Sequence, residues 1–239
     1  MKKILLTSGC SFTDKNFISD FHPDMDTNWP MWPELLAKKL DMDCINLGQS
    51  GAGNEYIYSS LLDTITRGEY NIGLVIPAWT QSQRKDWRNK QRWNNNSHYA
   101  NKSIKTFGNN DMYAYVDKSL RYFYSLQQVC KSEKIPLMQF QMLHLFRGYT
   151  YDPIKGEQNL RIEEKKEILK HILESPYLNK IDDNFIGWPT DTSLGGFNFK
   201  HKVLKGYTKE ALENNVSEID SHPNAKGQEM IAEFLYEQL

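Results

Sequence analysis

The chain has 239 residues, enough to bury a sizeable core without disulfides or a metal staple. Lys and Arg total 29 against 30 Asp and Glu, and a net charge of −1 argues against whole-chain nucleic-acid binding and against a disordered acidic tail. Aromatic residues are in surplus at 13 %, material for a core or for a ligand surface.

Lys3 to Ser8 is a short apolar run closed by Gly9, which predicts a buried strand. Pro33 to Leu40 opens on proline and spaces its apolar residues as a helix does. Cys44 to Leu47 predicts a second strand, and a glycine-rich turn follows from Gly48 to Asn54. A helix is expected over Glu55 to Arg67, stopped by Gly68, and a third strand over Ile72 to Pro77. Val116, Leu120, Phe123, Leu126 and Cys130 recur at helical spacing, so Asp111 to Glu133 reads as an amphipathic helix. Pro136 to Leu143 predicts a fourth strand, and Pro223 to Leu239 a last helix.

Strands alternating with helices imply an α/β fold with a mainly parallel sheet, whose ligands bind at the carboxyl edge of the strands. With neither internal repeat nor linker, a single domain over 1–239 is expected, interrupted by loop insertions at about 79–110 and 183–207. Cys10, Cys44 and Cys130 are too scattered for a disulfide framework or a zinc site. His22, Asp24 and Asp26 fit a solvent-exposed loop cluster better than a metal site, and neither metal nor other cofactor is expected. The apolar run after Lys2-Lys3 is three residues long, too short for a signal peptide, and nothing approaches a membrane span. The expectation is therefore a cytoplasmic chain without membrane contact, in which the Asn-x-Ser matches at Asn95, Asn101 and Asn215 carry no secretory meaning.

Chemistry-bearing residues fall just after the strands. Ser11 follows the first, in Gly9-Cys10-Ser11-Phe12-Thr13; it is either a nucleophile or a helix cap. The turn from Gly48 to Asn54 brings backbone N–H groups close to a ligand or simply turns the chain, and lacks the order of a dinucleotide or P-loop motif. Asp220-Ser-His222-Pro223 sets a carboxylate two residues ahead of an imidazole that it can orient as a general base.

In this order the three segments resemble the SGNH (GDSL-type) hydrolase superfamily. Gly9 to Thr13 looks like its first block with Cys10 where aspartate is usual, Asn46 and Gly51 like its second, and Asp220, His222 and Pro223 like its last. Gly-Cys-Ser-Phe-Thr together with Trp79, Thr80 and Arg84 is similar to a phage-encoded and bacterial subgroup. The resemblance implies a flavodoxin-like three-layer α/β/α sandwich. It further implies a serine esterase in which Ser11 is the nucleophile, His222 the base and Asp220 the orienting carboxylate. The oxyanion would be held by the N–H groups of Ser11 and Gly51. The third-block asparagine of the family is missing, and Thr80 and Asn54 are the candidates to replace it. Cys10 reads as a packed residue rather than as an alternative nucleophile.

Residues 81–105 carry seven basic groups against Asp86 alone, so the remainder of the chain carries about −7. With Trp79, Arg84, Trp87 and Trp93, this stretch suits a small-molecule or glycan ester. Its basic and aromatic residues also suit a nucleic-acid strand, which is not the expected partner, and the other reading is a solvated loop whose charges serve solubility. A small acyl ester, such as acetyl, on a carbohydrate or similar polar substrate is the expected target. An O-acyltransferase and a non-catalytic binding module are the alternatives. The second insertion, with Gly195-Gly196 between aromatic residues, is expected to act as a lid or as a packing flap.

Overall fold

The computed structural model describes residues 2–90, 92–95, 112–146, 162–206 and 208–239. Five strands form one sheet: β1 (Ile4–Ser8), β2 (Asp43–Asn46), β3 (Ile72–Trp79), β6 (Gln139–Gln141) and β7 (Phe185–Ile186). Their order is β2-β1-β3-β6-β7, and every ladder in it is parallel. All carboxyl ends therefore open on one edge.

Alternation along the strands divides the core in two. Leu6, Val75 and Trp79 face α2 (Asn54–Arg67), α3 (Met112–Glu133) and α4 (Ile162–Glu174), where Ile57, Leu61, Leu120, Phe123 and Ile172 meet them. Leu5, Leu74, Ile76 and Phe140 face α1 (Trp32–Lys39), α5 (Phe199–Lys202) and α7 (Ala225–Tyr236) through Trp32, Leu36, Phe199, Ile231 and Leu235. The short α6 (Lys209–Leu212) precedes the final loop. Each fully buried large apolar side chain contributes about 1.5–3 kcal/mol, so both helical layers are held by burial rather than by helix propensity. The result is an α/β fold, a mainly parallel central sheet flanked by helices. Among the described residues no helix is long and apolar enough to cross a membrane.

The stretch expected as the first insertion begins with strand, because β3 runs on to Trp79. It continues as an antiparallel hairpin of β4 (Asp86–Asn89) and β5 (Arg92–Asn95), turned at Lys90 with φ of 55°. Residues 96–111, with Lys102 and Lys105, lie outside the described residues, as does Asn101. In the second stretch Phe185 and Phe199 are core residues, and Asn198 caps α5 by accepting from His201 N. Of the two readings for that stretch, these side chains follow the packing flap.

Candidate active site

The loop after β1 is tied to the turn after β2. Gln49 N donates to Gly9 O (3.0 Å), Asn46 Nδ2 to Thr13 O (2.8 Å), and the Asp14 carboxylate accepts from both Ser50 N and Ser50 Oγ (2.8 Å each). Asn46 therefore holds the Ser11 loop, and Asp14 is a second strut. Gly51 sits at φ 78°, the left-handed region in which glycine carries no steric cost. Among the described residues neither the Ser11 N–H nor the Gly51 N–H has a hydrogen-bond partner.

His222 lies between two rings, Phe12 at 5.0 Å and Phe17 at 4.5 Å between centroids. Its Nε2 is 2.8 Å from Ser11 Oγ, and its Nδ1 is 2.5 Å from Asp220 Oδ1. The structure thus brings Ser11, His222 and Asp220 together across more than two hundred residues of sequence. The two-residue spacing is accommodated by a closed loop: His222 N also donates to Asp220 Oδ1 (3.0 Å), and Val216 N donates to His222 O (2.8 Å).

Asp220 is buried, which on its own would raise its pKa. Donors outweigh that cost: the His222 ring, the Ser19 hydroxyl (2.5 Å to Oδ2) and the His222 N–H hold the carboxyl down at about 2. Ser19 Oγ in turn accepts from Phe21 N and His22 N (3.2 and 3.0 Å). Lys200 is buried beside this loop, donating from Nζ to Ser221 O and standing 5.2 Å over the Phe12 ring. Burial lowers its pKa to about 8, against an opposing pull from Asp220. Nothing in the sequence marks Ser19, Asp14 or Lys200; they reach the site only through folding.

No protein-family model matches the chain, and no curated protein matches it in sequence. Solved structures do match in shape. The acetyl xylan esterase AlAXEase aligns at TM-score 0.51 with 13 % identity, over 99 % of both chains. A protein assigned to the G-D-S-L lipolytic family from Desulfitobacterium hafniense aligns at 0.50 with 15 % identity, again over 99 % of both. Axe2, an acetylxylan esterase from Geobacillus stearothermophilus, aligns at 0.50 with 13 % identity over 99 % of this chain and 93 % of its own. The fold is that of the SGNH hydrolases.

On this SGNH fold the remaining candidates separate. Asn54 donates from Nδ2 to Thr80 O (3.1 Å) and Ser119 Oγ (3.0 Å), while its Oδ1 accepts from Thr80 N (2.8 Å). Both amide protons are engaged inside the protein, so Asn54 pins the end of β3 rather than offering a donor to an oxyanion. Thr80 has no accessible surface, and its Oγ1 is buried without a partner among the described residues. Trp79, expected to touch substrate, is a core residue instead: it is fully buried, packs on Phe123 and donates from Nε1 to Gln139 Oε1 (3.0 Å). Arg84, also expected on the substrate side, donates from Nη1 to Ala52 O (3.0 Å). Trp87 is 48 % exposed on the hairpin, whereas Trp93 packs edge-on against Tyr56 at 5.6 Å. Cys10 is fully buried within the α1/α7 layer and does not line the edge. Among the described residues no group of three or more His, Cys, Asp or Glu could hold a metal ion.

Proposed function

We propose that this chain is a serine esterase that removes a small acyl group, acetyl in the first instance, from a carbohydrate or similar polar ester. The observation that carries the reading is the hydrogen-bonded series Ser11 Oγ, His222 Nε2, His222 Nδ1, Asp220 Oδ1, at 2.8 and 2.5 Å. It is supported by the position of this series at the carboxyl edge of an SGNH fold, and by the acetylxylan esterases among the structures of similar shape.

In this reading Ser11 Oγ attacks the acyl carbon and its proton passes to His222 Nε2. Asp220 holds the Nδ1 proton and stabilises the imidazolium that forms. The carbonyl oxygen becomes negative and is received by the N–H groups of Ser11 and Gly51, which no described residue engages. Collapse breaks the ester bond, and His222 returns the proton to the leaving alcohol. Water, deprotonated by the same imidazole, then cleaves the acyl-enzyme and restores Ser11. Trp87 and the basic residues of the hairpin supply the substrate side, where a ring and cationic groups suit a glycan.

Hydrolysis of a small activated acetate ester tests the reading. Ser11→Ala is expected to lower the rate on the order of 10³-fold or more, as loss of a triad nucleophile does. A fluorophosphonate should label the wild type at Ser11. Equal rates in the two proteins, or an unlabelled Ser11, would leave the chain a binding module on a hydrolase fold.

A further inference from the structure

The hairpin that follows β3 has two faces. On an antiparallel ribbon alternate residues share a side, so Asp86, Arg88, Trp93 and Asn95 lie together, opposite Trp87, Asn89, Arg92 and Asn94. The first set is turned towards the glycine-rich turn and α2. Asn95 Nδ2 donates to Ser50 O (2.9 Å), and Trp93 packs on Tyr56, whose hydroxyl donates to Leu47 O (2.7 Å). Asp86 is buried and accepts from Gly53 N at Oδ1 (2.8 Å) and from Tyr56 N at Oδ2 (2.9 Å), two of the N–H groups that the start of α2 leaves without helical partners. Arg84, just before β4, binds Ala52 O and is braced by its Nε on Gln81 Oε1 (3.3 Å).

These contacts bracket Gly51. The peptide that carries the Gly51 N–H is also the one that carries Ser50 O. In a trans peptide the two groups point in opposite directions, so a bond that holds Ser50 O fixes the direction of the Gly51 N–H. Asp14 holds Ser50 from one side, and Arg84 and Asp86 hold the next two residues, Ala52 and Gly53, from the other. The fit is close: a Cβ on Gly53 would come within 2.7 Å of Asp86 Oδ2 and 2.9 Å of Arg84 Cβ. A glycine at φ 78° is otherwise the freest link in the turn.

We propose that Arg84, Asp86 and Asn95 are positioning residues that clamp the oxyanion turn, so that the hairpin does structurally what the missing third-block asparagine would do by direct contact. The proposal rests on the Ser11 esterase reading and deepens it. It gives Arg84 a different task from substrate binding, and the two tasks predict different kinetics. A clamp acts on a donor used only as charge develops in the transition state, so its loss lowers kcat and leaves KM in place. A residue that binds substrate directly would instead raise KM when it is removed.

The test is steady-state hydrolysis of an activated acetate ester by full-length Arg84→Met, Arg84→Lys, Asp86→Ala and Asn95→Ala, with Ser11→Ala as the control. Removing an oxyanion donor outright costs 10²–10³ in rate, so loosening one should lower kcat about 10- to 100-fold in Arg84→Met and Asp86→Ala, with KM within about twofold. Arg84→Lys, which keeps one cationic donor, should recover part of the loss. A boronic acid that adds to Ser11 should bind more weakly by the same factor as kcat/KM falls. Wild-type kcat in folded Arg84→Met and Asp86→Ala, beside an inactive Ser11→Ala, overturns the clamp and spares the esterase. A raised KM at unchanged kcat overturns it in favour of substrate binding. Wild-type rates in Ser11→Ala overturn the esterase reading itself. If the two inner variants fail to fold, Asn95→Ala on its exposed ribbon edge decides: a lowered kcat supports the clamp, and an unchanged one rejects it.

Discussion

Asp220 is a buried carboxylate whose charge is maintained by named donors, and Ser19 is the one that no motif announces. Its hydroxyl reaches Oδ2 at 2.5 Å while its own oxygen is fixed by Phe21 N and His22 N. A hydrogen bond to a charged group contributes about 1.5–3 kcal/mol. Because the folded pKa of Asp220 is depressed to about 2, the stability it contributes is present above the ordinary carboxylate range and is lost as pH falls through about 2. Ser19→Ala removes one donor, and the folded pKa moves back up. Urea unfolding across pH 2 to 6 should show the variant less stable by about 1.5–3 kcal/mol near neutrality. The gap should close towards pH 2, where neither protein keeps the contribution; a gap independent of pH would place the role of Ser19 in its turn rather than in the carboxylate. Asp220 stays ionised through the range in which esters are assayed. Any acidic limb of the rate profile above about pH 4 therefore belongs to another group.

The elements differ in how openly the sequence declares them. α2 and α3 are legible because their apolar residues recur at helical spacing on one buried face, and β1 because it is a short continuous apolar run buried on both faces of the sheet. β3 outruns its expected end by two residues because Ala78 and Trp79 are drawn into the core. β6 is shorter than expected, three residues, because the ladder to β3 is interrupted: Leu137 meets Val75 in an isolated parallel bridge ahead of the continuous pairing at Phe140 and Gln141. The β4–β5 hairpin has one apolar residue on each strand, Trp87 and Trp93, and Lys90 rather than glycine or asparagine takes the positive φ of its turn, so the local signal for it is weak. α4 hides its apolar stripe of Ile168, Leu169 and Ile172 behind a charged start. The site follows the same division. Ser11, Asp220 and His222 stand in motif-like positions, whereas Trp79 shows only its composition in sequence and needs the fold to reveal its partner. Trp79→Phe keeps a ring against Phe123 but removes the donor to Gln139 Oε1 inside the core. A buried acceptor left unsatisfied costs about 1–3 kcal/mol, so thermal unfolding should show a loss of that size while kcat and KM remain those of the wild type. A raised KM in this variant would return Trp79 to the substrate side.

Across the whole molecule the near-zero net charge conceals two arrangements. Of the basic residues that make up the excess at 81–105, Arg88, Lys90 and Arg92 lie on an exposed ribbon, whereas Arg84 is turned inward onto Ala52 O. A second cation, Lys200 of α5, is buried in the opposite layer over the Phe12 ring, and Ser221 O, that ring and the charge of Asp220 offset part of its burial. Burial, the largest influence, brings its pKa from 10.5 to about 8. The consequence for stability has a definite sign. Below about pH 8 Lys200 is protonated in both folded and unfolded chains, and the cost of its burial is constant. Between about pH 8 and 10.5 the unfolded chain holds the proton and the folded one releases it, so the wild type gains stability as pH rises. At 1.36 kcal/mol per pKa unit the gain is at most about 3 kcal/mol across that window. Surface lysines and tyrosines titrate in the same range but do so equally in a Lys200→Met variant. The measurement is therefore a difference: guanidinium unfolding of both proteins at intervals from pH 7 to 10.5, in which wild type minus variant should climb with pH. A flat difference would mean that Lys200 keeps its proton when folded, so that pairing with Asp220 outweighs burial. In that case the cation would be a fixed partner of the Ser11–His222–Asp220 series rather than a group it can lose.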